Sequence, residues 1–394
     1  MENNKVYFPG LNGLRFFAAF AVVVTHIELV KHFQGYPTFW VENSVQEFSL
    51  KYFLQRIVFE AGALGVYFFF VLSGFLITYL LLTEKAKTGT VAIKKFYWRR
   101  VLRIWPLYYL IVILGFFVIP YITTGGFNFT NKELNEHYGL NLFLYLIIFP
   151  NVAHAMFNPV PLISQTWSIG VEEQFYIIWP VLAKKAKNIF KMLLVVFSIM
   201  IGIKVFILLL FKLGYGSNTL LILKKFFAMS KIECMTIGGM GAYFLFHYQE
   251  KFKSVIYHKA VLPLSLIGIP VLLLFTPNQL QDGVHLVYSV LFLFIIANVS
   301  GNPNSFLKLE NKVFNFLGKI SYSIYMYHFM LIPFVFYLFK KIGIEPSNQL
   351  IPQLIMYVSI TGLSVLVSWL SFTYFEGWFL KLKTKYTIIK SGSH

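Results

Sequence analysis

Charged residues and cysteine are scarce in this chain of 394 residues. Asp, Glu, Lys and Arg make up only 13% of it, and its mean hydropathy of +0.67 lies well above that of soluble domains. Cys234 is the single cysteine, which excludes an internal disulfide, a thiolate metal cluster and a redox dithiol. P-loop, dinucleotide-binding glycine and HExxH patterns are also absent. Any bound phosphate must therefore be held by side chains, and we expect neither a metal nor a redox cofactor.

Apolar and basic residues are what the chain has in excess. It is 57% hydrophobic and 19% aromatic, with a net charge of +18. Most basic residues lie between apolar runs, as the positive-inside bias of membrane proteins predicts, so the charge does not indicate nucleic-acid binding. The long first run lacks a small-residue cleavage pattern, so we expect no cleavable signal peptide. Runs of spanning length fall near 11–30, 61–82, 104–122, 165–183, 192–211, 228–246, 260–276, 284–299, 320–339 and 351–375.

The run 139–150 is too short to cross comfortably, and the loop charges decide how to treat it. With ten spans, the inside loops and tail hold 21 Lys and Arg residues and the outside loops hold 10. A further crossing at 139–150 would place the later basic loops and the tail outside. The basic residues at 212–231 would lie outside in this topology and are an exception to the positive-inside bias.

The sequence therefore predicts an all-α polytopic membrane protein. We expect a bundle of about ten transmembrane helices, a re-entrant or interfacial segment at 139–150, and both termini in the cytoplasm. The transmembrane domain would cover 1–380, followed by a short basic cytoplasmic tail at 381–394.

Arg15 and His26 are ionisable residues inside the first apolar run. Eleven helical residues bring both side chains to one face, roughly 16 Å apart along the axis. Ionisable groups at such depth point to function. Imidazole titrates near neutrality, so His26 is suited to act as a general base on a hydroxyl. The alternative is a histidine bonded to a neighbouring helix and an arginine that extends to the cytoplasmic headgroups.

Arg99, Arg100 and Arg103 occur in the sequence KKFYWRRVLRIWPLYY. Their spacing brings three guanidinium groups to one side of a helix before the expected kink at Pro106. Guanidinium groups suit bidentate contacts with phosphates. The pattern predicts a site for an anionic, phosphate-bearing cytoplasmic ligand. The alternative is a basic and aromatic belt that anchors a helix end at the interface.

Glu172 and Glu173 lie near the start of an apolar helix in SQTWSIGVEEQFYIIWP. Adjacent helical residues project about 100° apart, so Glu172 shares a polar stripe with Tyr176 whereas Glu173 lies over apolar residues. Glu172 is thus the better candidate to orient a histidine or a substrate hydroxyl. Glu173, Tyr176 and Trp167 are supporting candidates. Trp167 and the two charges also fit an interface anchor with a favourable helix dipole.

His328 lies in LGKISYSIYMYHFML, a run rich in Tyr and Ser. It would line a polar cavity with Tyr322 and Tyr325. A single histidine in such a span also fits a packing role.

Together these segments, with GVYFFFVLSGFLIT, resemble the acyltransferase-3 family of integral membrane acyltransferases from about residue 8 to 375. The resemblance implies a cytoplasmic acyl-CoA donor and transfer of an acyl group, usually acetyl, to a hydroxyl outside the bacterial inner membrane. The acceptor would be a saccharide or glycolipid, such as O-antigen or an exopolysaccharide. The family's motif residues fall on Arg15, His26, Arg99, Arg100, Arg103, Glu172, Tyr322 and His328.

Many members of that family carry an extra extracytoplasmic SGNH domain, and this chain stops where it would begin. We therefore expect a stand-alone enzyme. Either the membrane domain completes the transfer, or a separate extracytoplasmic transferase does. A homodimer is also compatible with the sequence.

The residues and the resemblance together predict a route for acetyl-CoA. The arginine box would bind its phosphates, Arg15 would extend that positive funnel, and the pantetheine arm would run along Ala18, Ala19 and Val22. His26 would deprotonate the acceptor hydroxyl, with Glu172 orienting it or stabilising its charged form.

Two other functions fit some of these residues. In a transporter or flippase of a lipid-linked saccharide, the buried charges would form a substrate or proton pathway. The chain shows no internal inverted repeat of the kind secondary transporters carry. An acyltransferase of another membrane family would use Asn151 and His154. The aromatic outer-loop residues suited to contact a sugar ring or a lipid are Trp40, Phe127, Phe129 and Tyr138.

Overall fold

Helices form most of the chain in the computed structural model, which describes residues 5–39, 50–121, 137–276, 281–347 and 349–391. The first helices are α1 (Leu11–Phe33), α2 (Leu50–Thr88), α3 (Ile93–Ile113), α4 (Tyr138–Leu146), α5 (Pro150–Met156), α6 (Trp167–Lys185), α7 (Ile189–Lys212) and α8 (Asn218–Met229). The remaining helices are α9 (Ile232–His247), α10 (Gln249–Ile256), α11 (Val261–Phe275), α12 (Gln281–Gly301), α13 (Lys312–Lys319), α14 (Ser321–Lys341), α15 (Leu350–Leu370) and α16 (Gly377–Lys383).

Shorter pieces extend these helices. A π-helical turn at Leu114–Val118 and a 3₁₀ turn at Ile119–Tyr121 continue α3. A second π-helical turn, Ser371–Glu376, joins α15 to α16, and a 3₁₀ turn at Ser164–Thr166 leads into α6.

The ten predicted spans each contain a helix, and the prediction of an all-helical membrane protein is confirmed. Seven helices in the described part of the chain are long and apolar enough to cross a membrane. An eighth is added if α10 and α11, bent by 60°, form one span. The predicted count of ten is not confirmed, because α9 has only 16 residues and α6 carries four charged residues among its 19.

The segment 139–150, predicted not to cross, contains most of the short helix α4, and α5 begins at its last residue. With nine residues, α4 is about 13 Å long and cannot span a bilayer. The chain turns at Ile148, whose φ of 61° lies in the left-handed region that a β-branched residue rarely adopts. The hydroxyl of Tyr108 donates to the carbonyl of Tyr145 at 2.8 Å, which attaches α4 to α3.

The centre of the bundle is the packing of α2 against α1 and α9. In α9 the sequence CMTIGGMGA supplies small residues, which let helix backbones approach closely. A Cβ atom at Gly74 of α2 would lie 1.9 Å from the carbonyl oxygen of Met235, so only glycine fits there. This contact explains why α9, the shorter helix, is among the most buried.

The two ends of the chain meet at one end of the bundle. Lys5–Val6 (β1) pairs in parallel with Lys390–Ser391 (β2). The predicted boundary at residue 380 falls inside α16, which packs against α3. Residues 383–391, called the C-terminal strap below, are therefore part of the folded domain. The division into a transmembrane domain at 1–380 and a tail at 381–394 stays a prediction.

Candidate active site

A cavity of ≈ 200 Å³ lies between the N-terminal strand and helices α1, α2, α3, α6 and α14. We call it the arginine pocket. Its polar and charged lining residues are Tyr7, Asn12, Arg15, Ser73, Arg100, Arg103, Ser168, Glu172, Tyr176, Ser321, Tyr322 and Tyr325.

Three of the four predicted arginines face this pocket. Nη1 of Arg15 donates to Oδ1 of Asn12 at 3.3 Å. The guanidinium of Arg100 lies over the rings of Phe96 and Tyr176, at 5.4 and 5.2 Å from their centroids. Within the described residues, neither Arg100 nor Arg103 has a hydrogen bond or ion pair, and Nε of Arg100 is buried without a partner. A guanidinium carries five donors, so such a pocket is built for an anion.

Arg99 leaves the group that the sequence predicted. Its Nη2 lies 3.4 Å from Oε2 of Glu84, and its Nη1 donates to the carbonyl of Tyr386 at 2.9 Å. It does not line the arginine pocket. Its partners come from α2 and the strap, so Arg99 ties these elements to α3.

Glu172 lies inside the pocket as predicted, with its stripe neighbour Tyr176. The hydroxyls of Ser73 and Tyr176 donate to its two carboxylate oxygens, at 3.0 and 2.8 Å. Glu173 points elsewhere and accepts from the indole nitrogen of Trp105 at 2.9 Å. Trp167 packs against Phe70 outside the pocket lining.

His26 pairs with His328 of α14. Nδ1 of His26 lies 2.7 Å from Nε2 of His328, and Nδ1 of His328 lies 3.0 Å from the carbonyl oxygen of Ile324. A carbonyl only accepts, so His328 carries its hydrogen on Nδ1 and its Nε2 accepts from His26. In the neutral pair, Nε2 of His26 therefore keeps a free lone pair. The pair forms the arrangement of a base held in one tautomer by a second group.

Tyr325 connects the histidine pair to the arginine pocket. It lines the pocket, and its ring centroid lies 6.0 Å from that of His328. Its hydroxyl hydrogen-bonds with Ser168 at 2.7 Å and donates to the carbonyl of Gln165 at 2.9 Å. Tyr322 also lines the pocket, and its hydroxyl donates to the carbonyl of Ile104 at 2.9 Å.

A family model for an acyltransferase domain matches residues 8–373, almost the whole chain. The chain belongs to the acyltransferase-3 family. This chain is 28% identical over 385 residues to a protein named as an O-acetyltransferase in Staphylococcus aureus strain COL, covering 95% of this chain and 58% of that one. It is 27% identical over 347 residues to O-acetyltransferase OatA of strain NCTC 8325, covering 84% and 51%. It thus spans little more than half the length of these relatives, and no solved structure matches it.

Two parts of the predicted donor route have other contacts in the structure. Ala18, Ala19 and Val22 are buried in helix packing rather than lining the pocket. A Cβ at Gly65 of α2 would lie 2.5 Å from the carbonyl of Ala18, which leaves no room for a pantetheine arm there. Glu172 accepts hydrogen bonds from the hydroxyls of Ser73 and Tyr176, and His26 hydrogen-bonds with His328.

Several residues of the arginine pocket carried little sequence signal. Ser73 is one hydroxyl in the apolar run of α2, and Ser168 and Asn12 lie beside motif residues without distinct spacing. Asn151 exchanges amide hydrogen bonds with Gln174, at 2.9 and 3.2 Å, and neither Asn151 nor His154 lines the pocket.

Of the four predicted acceptor contacts, one lies within the described residues. Trp40, Phe127 and Phe129 lie outside the described residues, and Tyr138 packs on Phe116. In the described ranges, no three His, Cys, Asp or Glu side chains are grouped to hold a metal ion.

Proposed function

We propose that this acyltransferase moves an acetyl group from acetyl-CoA to a hydroxyl of a cell-surface saccharide or glycolipid. It would act in the bacterial inner membrane with both termini in the cytoplasm. The observation that carries the proposal is the pocket with Arg15, Arg100 and Arg103, whose inner wall at Tyr325 contacts the histidine pair.

The arginine pocket would hold the phosphate-bearing end of the donor. Arg100 is fixed between two aromatic rings, and Arg15 lies at the same pocket. Guanidinium groups positioned in advance bind phosphate oxygens with little loss of side-chain entropy. The acyl-pantetheine end would point towards Tyr325 of α14, which lines the pocket and lies beside His328.

His26 would act as the general base. Its Nε2 takes the proton of the acceptor hydroxyl as the oxygen attacks the thioester carbonyl carbon. The new C–O bond forms, the C–S bond breaks, and the proton passes from His26 to the CoA sulfur. His328 holds His26 in the required tautomer, and Phe329 stacks on its ring at 4.5 Å.

The names of the relatives support O-acetyl transfer, because both are called O-acetyltransferases. The membrane lipids surround the bundle, and the acceptor would approach from the outer face. A separate extracytoplasmic transferase or a second copy of the chain remains compatible as a partner in the final step.

The test uses His26→Gln in purified full-length protein in detergent. We expect acetyl transfer and acetyl-CoA hydrolysis to fall by a factor of about 100 or more, with acetyl-CoA binding retained. The control is His32→Gln, because His32 is exposed near the end of the same helix. Unchanged turnover of a folded His26→Gln protein would contradict the assignment.

The alternative function, a transporter or flippase of a lipid-linked saccharide, differs in its ligand. Such a protein would not bind acetyl-CoA through Arg100. Binding measured with wild type and Arg100→Gln separates the two functions, since the acyltransferase requires acetyl-CoA affinity that this variant reduces.

A further inference from the structure

Asn12 is a hydrogen-bond partner of Arg15 in the arginine pocket, and both residues line it. Its Oδ1 accepts from Nη1 of Arg15 at 3.3 Å, so a neutral amide and not a carboxylate holds this guanidinium. Arg99 shows the opposite case, because it is paired with Glu84 and lies outside the pocket lining. A guanidinium carries five donors, so the bond to Asn12 leaves Arg15 with donors for a ligand and with its full charge.

A series of side chains fixes which end of the Asn12 amide faces Arg15. The carboxylate of Glu310 only accepts, so Asn315 presents its Nδ2 to Oε1 of Glu310, at 2.7 Å. Oδ1 of Asn315 then accepts from Nδ2 of Asn12 at 3.2 Å. Asn12 therefore presents its Oδ1 to Arg15. A reversed amide would place an NH₂ donor against a guanidinium, which has donors only.

Close backbone packing holds Asn12 in place as well. A Cβ atom at Gly318, near the end of α13, would lie 2.2 Å from the carbonyl oxygen of Asn12. At the next residue of α1, a Cβ atom at Gly13 would lie 2.7 Å from Cβ of Leu309. The segment 309–318 thus contacts both the main chain and the side-chain amide of Asn12.

We propose that Asn12 is a positioning residue of the donor site, and that Asn315 and Glu310 set its orientation. It holds the guanidinium of Arg15 at the pocket and leaves that charge uncancelled for the phosphate groups of the donor. A carboxylate at this position would instead pair with the guanidinium, as Glu84 does outside the pocket. This inference rests on the proposed function, because acetyl-CoA is the anion that Arg15 would bind.

The test measures acetyl-CoA binding by calorimetry with the full-length protein in detergent. We expect Asn12→Ala to bind about tenfold more weakly, because Arg15 loses a hydrogen bond that orients it. Asn12→Asp should bind at least as weakly, since the new carboxylate cancels the charge of Arg15. Asn315→Ala should lose about threefold, because the contact that sets the amide orientation of Asn12 is removed. The control is Asn304→Ala, since Asn304 is exposed in the loop before α13.

A double-mutant cycle with Arg15 separates positioning from packing. In the Arg15→Gln background, Asn12→Ala should cause no further loss of affinity, because the group that it orients is gone. An equal loss in both backgrounds would indicate a packing role and overturn the inference, as would wild-type affinity in Asn12→Ala. Wild-type affinity in Asn12→Asp would overturn it too, because a carboxylate would then serve as well as the neutral amide.

Arg100→Gln distinguishes a failure of this inference from a failure of the proposed function. If Arg100→Gln loses acetyl-CoA binding while Asn12→Ala keeps it, only the role of Asn12 fails. If Arg100→Gln binds acetyl-CoA normally, the proposed function itself fails.

Discussion

Two groups of cations in the bundle differ in what surrounds them. Away from the pocket, Lys204 pairs with the buried Glu233 and donates to the carbonyl of Ser230 at 3.1 Å. His285 adds a contact to the same carboxylate at 2.7 Å. In the pocket, Arg100 and Arg103 have no such carboxylate partner among the described residues.

The difference separates structural charges from ligand-binding ones. A buried ion pair supplies Lys204 with a counter-charge from within the protein and joins α7, α9 and α12, so Lys204 needs no anionic ligand. Lys31 and Glu28 show the same arrangement, with Tyr357 also donating to the carboxylate at 2.8 Å. A guanidinium left with open donors in a cavity gains its partners only when an anion binds.

The largest expected effect comes from breaking the paired group. Glu233→Gln removes the counter-charge of Lys204, and we expect a loss of about 3 kcal/mol in the free energy of unfolding. Chemical unfolding in detergent measures it. Acetyl-CoA affinity of the folded protein stays at the wild-type level, since Glu233 lies outside the arginine pocket. Equal stability of Glu233→Gln and the wild type would contradict the distinction between structural and ligand-binding charges.

The arginine pocket should respond in the opposite way. Arg103→Gln is expected to weaken acetyl-CoA binding by about 2 kcal/mol, through loss of a charge-assisted contact. The stability of the ligand-free protein is kept or rises, because repulsion from Arg100 is relieved. Calorimetry of binding and thermal unfolding without ligand check both parts.

Arg99→Gln sharpens this contrast as a matched arginine substitution. It breaks the contacts with Glu84 and Tyr386, so we expect it to lower stability, while acetyl-CoA affinity changes little because Arg99 does not line the arginine pocket. A stability loss in Arg103→Gln as large as that in Arg99→Gln would contradict the distinction.

Substitution of His328 tests the role of the histidine pair, which is joined by a hydrogen bond and not by opposite charges. In His328→Gln, we expect kcat to fall about tenfold while the KM for acetyl-CoA is unchanged, because His26 loses the partner that sets its tautomer. Steady-state acetyl transfer measures both values. A change confined to KM would place His328 in donor binding.

The composition and the residue spacing of the sequence predicted much of the fold and part of the candidate site. Apolar runs predicted the helices, and of the two ionisable residues of α1, Arg15 lines the arginine pocket while His26 contacts His328 of α14. The spacing within the arginine motif predicted that Arg100 and Arg103 lie on one side of their helix. It could not place Arg99, because the deciding partners, Glu84 and Tyr386, come from other segments.

Long-range partners explain the remaining differences. His328 lies 302 residues from His26 in the chain, and no periodicity within α1 reveals which helix packs on it. The small and medium side chains of Ala18, Ala19 and Val22 suggested space for the pantetheine arm. The structure shows that α2 approaches α1 closely at Gly65 and fills that space. Helix packing, rather than local pattern, decides both.

Glu310 is expected to give the smallest effect, because it is well partnered but exposed. It accepts hydrogen bonds from Tyr7, from the amide of Gly10 at 2.7 Å and from Asn315 at 2.7 Å. Burial alone would raise the pKa of Glu310, but these hydrogen bonds outweigh it and hold the pKa below the ordinary value of 4.5.

A carboxylate with a lowered pKa stabilises the fold above its ordinary pKa, and this stabilisation is lost as the pH falls through the lowered value. Glu310→Gln should therefore unfold at a slightly lower temperature than wild type at neutral pH, and the two should converge below about pH 4. The control is Glu345→Gln, since Glu345 is exposed. A gap that persists in acid would mean that Glu310 acts through shape rather than charge. A small loss of stability in Glu310→Gln distinguishes the exposed hydrogen bonds of Glu310 from the buried ion pair of Glu233.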